Sequence, residues 1–209
     1  MAAIIAAPSI IGAMRTTHLL YLHGFRSSPR SAKAQQMLAS VQAHAPQTIW
    51  CCPQLPPSPR AAMALVAQLT AGWPVAEPDR LAVIGSSLGG FYASWAAQRL
   101  GCKSVLINPA VNPARDLARY IGEQSAWHDP GKRFFFRPEF IAELQALDVR
   151  ALPPAGPELL LAAQGDEVLD WREMVQRYPR ASVRLQQGGD HALSNFAEYL
   201  PEIAAFLGW

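Results

Sequence analysis

Short blocks of consecutive apolar residues recur along the chain, separated by longer stretches in which apolar positions return at helical spacing. The blocks are His18–Leu22, Thr48–Cys52, Leu81–Ile84, Ser104–Ile107 and Glu158–Ala163, and Ser182–Gln186, apolar only at Val183 and Leu185, reads as a sixth strand. A run without a polar face reads as a strand buried on both sides, the kind that fills a parallel sheet. Between the blocks the spacing predicts helices over Arg30–Ala43, from Ser58-Pro59 through Leu69, over Leu88–Leu100, over Trp171–Tyr178 and over Asn195–Leu207. Ser28-Pro29 and Ser58-Pro59 each offer a capping hydroxyl followed by a proline suited to the first helical position. Strand and helix in alternation predict right-handed βαβ units, hence an α/β fold of about six mostly parallel strands with helices on both faces.

The rhythm breaks between Ala110 and Gly156. This stretch holds a predicted helix at Ala114–Ile121, an aromatic-basic segment Lys132-Arg133-Phe134-Phe135-Phe136-Arg137 and a predicted helix near Pro138–Leu147. It reads as a small helical insertion with two possible roles. One is a cap over a site; the other is a crossover packing one sheet face with Phe134 to Phe136 in the core. The chain shows no internal repeat, low-complexity tract or interdomain linker, and the proline-rich pieces at 53–59 and 153–157 have the length of ordinary connections.

With 209 residues, half of them hydrophobic, the expectation is one domain with a sizeable core, over residues 15–209. Residues 1–14 are apolar but lack a basic start, contain Pro8 and are too short to span a bilayer, so they read as a flexible N-terminal extension. Met14 is an alternative start, and a degenerate export signal is the minority reading. The formal charge of +2 comes from 18 basic and 16 acidic residues scattered along the chain, with no basic stripe for a phosphate backbone. Nucleic acid is not an expected partner. No strongly amphipathic basic helix suggests stable membrane association. Cys51, Cys52 and Cys102 show no metal-ligand or C-x-x-C spacing, which implies free thiols and a reducing cytoplasm. Either a monomer or a weak homodimer is compatible with this composition.

The candidate chemistry begins where the block Leu81–Ile84 runs into Gly85-Ser86-Ser87-Leu88-Gly89, a G-x-S-x-G pattern. In a nucleophile elbow a serine sits on a sharp turn between a buried strand and a helix, with small residues two positions to either side. That makes Ser87 the candidate nucleophile. A serine hydroxyl needs a base within hydrogen-bond reach and an acid to fix that base's tautomer, and on this architecture the chain order is Ser, Asp or Glu, His. His191 follows the last strand, in Gly189-Asp190-His191, and the acid follows the strand before it, in Gln164-Gly165-Asp166-Glu167-Val168. Asp166 is preferred as the first acid after its strand, with Glu167 and Asp170 within one turn as alternatives. Asp190 reads as turn-forming. Both loops lie at carboxyl ends of parallel strands, on the edge where open α/β sheets place their sites.

An oxyanion formed on Ser87 would need two backbone N–H groups. Leu88 supplies one, and the loop Leu22-His23-Gly24-Phe25 after the first strand supplies the other from Phe25. His23, Gly24, Arg26 and Ser86 are candidate pocket residues; His23 also reads as structural, and Arg26 either meets an anionic substrate group or is a solvated arginine. Neither a metal nor an organic cofactor is needed for this chemistry.

Tyr21-Leu22-His23-Gly24-Phe25 with Ser27-Ser28-Pro29-Arg30-Ser31-Ala32-Lys33-Ala34, Gly85-Ser86-Ser87-Leu88-Gly89-Gly90, Asn108-Pro109-Ala110-Val111, Gly165-Asp166-Glu167-Val168-Leu169-Asp170 and Gly188-Gly189-Asp190-His191-Ala192 together resemble the small bacterial YqiA-type esterases of the α/β-hydrolase superfamily. The resemblance runs from about His18 to Gly208. It implies a compact α/β-hydrolase fold and esterase activity toward small acyl esters or thioesters, with Ser87, Asp166 and His191 as the triad. Arg26 and the 120–140 region depart from the family pattern and bear on substrate choice. Two alternatives stay open beside a cytoplasmic serine esterase. One is a thioesterase or acyltransferase, with Arg26, Lys132 or Arg133 near an anionic carrier; the other is a hydrolase-fold protein that binds without catalysis.

Overall fold

Each of the six expected strand segments becomes a strand of one parallel sheet in the computed structural model, which describes residues 15–127 and 129–209. The expected N-terminal extension, 1–14, lies outside the described residues. The strands are β1 (His18–Leu22), β2 (Ile49–Cys51), β3 (Leu81–Ser86), β4 (Lys103–Ile107), β7 (Glu158–Ala163) and β8 (Ser182–Gln186), in the order β2-β1-β3-β4-β7-β8. The central register aligns Leu22 with Gly85 and Ser86 with Ile107, so the strands end nearly level and their following loops meet at one edge.

Alternation along the strands explains the two buried faces, because successive side chains point to opposite sides. Leu20, Leu22, Val83, Leu106 and Leu160 pack with α2 (Pro59–Leu69), α3 (Leu88–Leu100) and α6 (Trp171–Arg177). Leu19, Tyr21, Ile84, Val105 and Leu161 pack with α1 (Ala32–His44) and α7 (Leu200–Leu207). Among these buried strand residues none is more than 1% exposed.

Helix starts follow local chemistry. Ser58 caps α2 as predicted, its hydroxyl accepting the Ala61 N–H at 3.1 Å with Pro59 at the first position. Ser28-Pro29 does not start α1. There the Ser28 hydroxyl and carbonyl accept the N–H groups of Arg30 and Ser31, closing a turn, and Ser31 becomes the residue before the helix. The last predicted helix is a 3₁₀ turn at Phe196–Tyr199 followed by α7, whose Pro201 has no N–H to continue the ladder from that turn.

The 110–156 insertion is only partly helical. The predicted helix at Ala114–Ile121 is a short α4 (Pro113–Leu117) with a 3₁₀ turn at Ala118–Tyr120, and α5 covers Glu139–Ala146. Between them β5 (Gly122–Ala126) and β6 (Asp129–Phe136) form an antiparallel hairpin, pairing Gly122 with Phe136 and slipping register at Ser125/Ala126. Alternation along β6 divides the aromatics: Phe136 is 1% exposed and Phe135 57%. Phe136 enters the core as a crossover residue would, while the hairpin is anchored to the loop after β1.

Candidate active site

The turn from β3 into α3 places Ser87 at φ 57°, ψ −123°, a conformation that non-glycine residues adopt only when their surroundings impose it. Its N–H donates to the Ile107 carbonyl at 3.0 Å, and its carbonyl accepts the N–H of Ala110 at 3.0 Å. The flanking glycines make this turn possible. A Cβ on Gly85 would stand 2.0 Å from the Gly89 carbonyl oxygen, and one on Gly89 would stand 1.9 Å from that of Leu22. The G-x-S-x-G pattern is thus a requirement for letting α3 press against β1. Arg26, Ser87, Asn108 and Leu193 are the non-glycine residues with positive φ among the described residues. All four lie in loops at the carboxyl ends of strands, where backbone strain is concentrated.

Ser87 Oγ lies 2.9 Å from His191 Nε2, and His191 Nδ1 lies 2.8 Å from Asp166 Oδ2. The Asp166 side chain is fully buried. Its other oxygen, Oδ1, accepts the N–H groups of Val168 and Leu169, each at 2.8 Å. A carboxylate so engaged only accepts, so the Nδ1 of His191 carries the proton and Nε2 presents its lone pair to the serine hydroxyl. Of the alternative acids, Asp170 caps α6, accepting the Arg172 N–H at 2.9 Å. Glu167 accepts the backbone N–H of His191 at 3.0 Å. Asp190 forms a turn as expected, accepting the hydroxyl and N–H of Ser194, and these bonds hold its carboxyl below the usual carboxylate range.

Asn108 is a residue whose role the sequence reading missed. It is fully buried; its Nδ2 donates to the carbonyls of Asp190 (3.0 Å) and His191 (3.1 Å), and its Oδ1 accepts the Ala163 N–H (2.9 Å). It joins the ends of β4 and β7 to the loop carrying His191. Lys33 on α1 was also missed: its ammonium donates to the Ala192 carbonyl. Burial holds its pKa below the usual lysine value, partly offset by the carboxylates of Asp190 and Asp166.

The loop after β1 lies against the elbow, where a Cβ on Gly24 would stand 3.2 Å from Ser87 Cβ. The Phe25 N–H has no protein acceptor among the described residues, and Leu88 opens α3, where an N–H has no intrahelical partner. His23 is buried and braces this loop, with Nδ1 3.0 Å from the Gly24 carbonyl and Nε2 accepting the Leu55 N–H at 3.1 Å. The Phe25 ring is the hairpin's socket, with centroids 5.2 Å from Phe136 and 6.0 Å from Phe134. Arg26 lines one of the cavities beside the elbow and is bound to the hairpin. Its Nε donates to the Ser125 carbonyl at 2.7 Å and its guanidinium lies 4.2 Å from the Trp127 ring centroid, so it ties the hairpin to the loop. Arg133 pairs with Glu123 at 3.1 Å across the same hairpin, while the side chain of Lys132 lies outside the described residues.

Two cavities share Gly24, Phe25 and Ser27. One, of about 400 Å³, holds Ser86, Ser87, His191 and Lys33; the other, of about 600 Å³, lies under the hairpin and is lined in part by His23, Arg26, Leu88 and Phe134. Burial pushes the Cys52 and Cys102 thiols up to about 12, and all three cysteines are free. Among the described residues no cluster of His, Cys, Asp or Glu could hold a metal ion, and no helix is long and apolar enough to cross a membrane.

Solved structures with this fold include a putative hydrolase from Agrobacterium vitis S4, at 17% identity and TM-score 0.70 over 93% of this chain and 88% of that one. Est1E from Butyrivibrio proteoclasticus, with ferulic acid bound, matches at 13% identity and TM-score 0.68 over 92% and 90%. Alpha/beta hydrolase domain-containing protein 10 from mouse matches at 18% identity and TM-score 0.63 over 92% and 91%. These likenesses establish the α/β-hydrolase fold. The family model described as "Uncharacterised protein family (UPF0227)" matches residues 18–208, the span over which the family resemblance was read from the sequence, and the chain belongs to that family.

Proposed function

We propose that the protein is a serine hydrolase of small carboxylic esters or thioesters, with Ser87 as nucleophile, His191 as general base and acid, and Asp166 as the group that orients His191. The observation that carries this reading is the continuous hydrogen-bonded path Asp166–His191–Ser87, with Nδ1 of the histidine bound to a saturated carboxylate and Nε2 free to take a proton. As Ser87 Oγ attacks the acyl carbon, its proton passes to Nε2, and the carbonyl π electrons move onto oxygen. The N–H groups of Leu88 and Phe25 are the donors assigned to that oxyanion. Collapse of the tetrahedral intermediate expels the alkoxide or thiolate, which takes the proton back from Nε2. A water activated by the same nitrogen then cleaves the acyl-serine and regenerates Ser87.

Arg26 and Arg133 are engaged within the hairpin and its loop, so the arginines invoked for an anionic carrier have partners already. The free thiols fit a reducing compartment, and the cytoplasm is the location proposed.

The test is turnover of a graded set of p-nitrophenyl alkanoates by wild type, Ser87→Ala and Asp166→Asn. Wild type is expected to hydrolyse some of them, and each variant to lose about 10³-fold or more in kcat, the scale set by loss of a triad member. Retained turnover in Ser87→Ala would refute the assignment.

A further inference from the structure

The cavity of about 600 Å³ beneath the hairpin is within the size range of small-molecule sites. The apolar part of its wall is contributed by Leu55, Pro56, Leu65, Leu88 and Phe134, with Tyr92 among them, while Arg26, Arg30, Gln54 and Arg133 are on the wall as well. Leu88 and Tyr92 are four residues apart on α3 and so share a helix face, with Tyr92 one turn, about 6 Å, farther from the elbow. Tyr92 is 3% exposed, its hydroxyl makes no hydrogen bond to a protein group among the described residues, and the carboxylate of Glu143 is close enough to act on it electrostatically. Burial, and after it the nearby Glu143 carboxylate, push its pKa above the usual tyrosine value, which favours the neutral phenol, a hydrogen-bond donor. A buried phenol normally finds a partner, because an unpaired hydroxyl in an apolar wall loses the hydrogen bond it had with water.

We infer that this cavity is the acyl-group subsite and that Tyr92 is its specificity-determining residue, donating a hydrogen bond to an oxygen carried by the acyl chain about one helical turn from the ester carbonyl. The substrate class is then esters of oxygenated acyl groups, such as oxo- or hydroxyacyl chains, in preference to plain alkanoyl esters. This rests on the hydrolase reading for the position of the acyl carbon at Ser87. Leu88 connects the two sites in the chain, since it follows Ser87 directly and is also among the residues lining the cavity. A site built to hydrogen-bond a substrate oxygen discriminates against the analogue lacking it much more strongly than an apolar pocket discriminates by size.

The test compares p-nitrophenyl 5-oxohexanoate with p-nitrophenyl hexanoate on wild type and Tyr92→Phe. In wild type, kcat/KM is expected to favour the oxo ester about tenfold, and in Tyr92→Phe that ratio should fall to near one. A second arm needs no turnover: methyl 5-oxohexanoate and methyl hexanoate are titrated calorimetrically into Ser87→Ala protein, with and without Tyr92→Phe. The oxo ester should bind about tenfold tighter only when Tyr92 is present. Equal ratios in the presence and absence of the hydroxyl, or no binding of either ester, would overturn the inference. Loss of turnover with every ester, alongside a Tyr92-dependent binding ratio, would overturn the hydrolase reading and leave the subsite standing.

Discussion

Asn108 carries neither charge nor nucleophile, yet its Nδ2 ends on the carbonyls of Asp190 and His191 while its Oδ1 holds Ala163. Glu167 takes the N–H of the same histidine, so the His191 backbone is gripped at both its donor and its acceptor. We assign Asn108 a positioning role, because a base displaced by about 1 Å from its nucleophile can cost about 10²-fold in rate. Asn108→Ala is expected to lower kcat by about that factor with KM little changed, and to destabilise the fold by about 1–3 kcal/mol through the carbonyls left unpaired. Steady-state kinetics on the folded fraction, beside a urea titration, check both. A variant that loses stability but keeps kcat would show that Asn108 braces the sheet without positioning His191. Nothing in the pair Asn108-Pro109 pointed to this role, since Asn-Pro reads as a turn and the bonding partners lie 55 to 83 positions away. Asp166, by contrast, was legible as the first acid after a strand, and its two local N–H donors explain why that position and not Glu167 or Asp170 meets the histidine.

At the scale of elements, the strands and helices of the main sheet were readable because burial on two faces leaves an unbroken apolar block, as in Glu158–Ala163, which the structure reproduces residue for residue. The hairpin β5–β6 was not readable. Its inner face is aromatic only at Phe134 and Phe136, with Phe135 interposed, and the partner strand Gly122–Ala126 has no apolar face of its own beyond Ala126. The hairpin owes its position to contacts distant in sequence, with Phe25 and Arg26. The alternation itself is testable. Phe136→Ala, which empties a packed site between Phe25 and Phe140, is expected to cost about 3–5 kcal/mol. Phe135→Ala, on the solvent side, should stay within about 0.5 kcal/mol. Urea unfolding of both variants decides, and equal losses would contradict the register that sends Phe136 inward.

For the whole molecule, a parallel sheet brings every strand's carboxyl end to one edge, so residues far apart in sequence converge there: Arg26 after β1, Ser87 after β3, Asn108 after β4, Asp166 after β7 and His191 after β8. That geometry made the order Ser87, Asp166, His191 informative before any distance was known. The cavity under the hairpin and its tyrosine required packing between α3, the loop after β2 and the insertion, which local periodicity does not encode. The central claim is that Ser87 is a nucleophile activated through His191, and it is tested most directly by labelling purified protein with a fluorophosphonate and mapping the adduct by peptide mass. A single adduct on the peptide containing Ser87 is expected, absent in Ser87→Ala and strongly slowed in His191→Ala. A folded wild-type protein that takes no label, or takes it at another residue, would contradict the account.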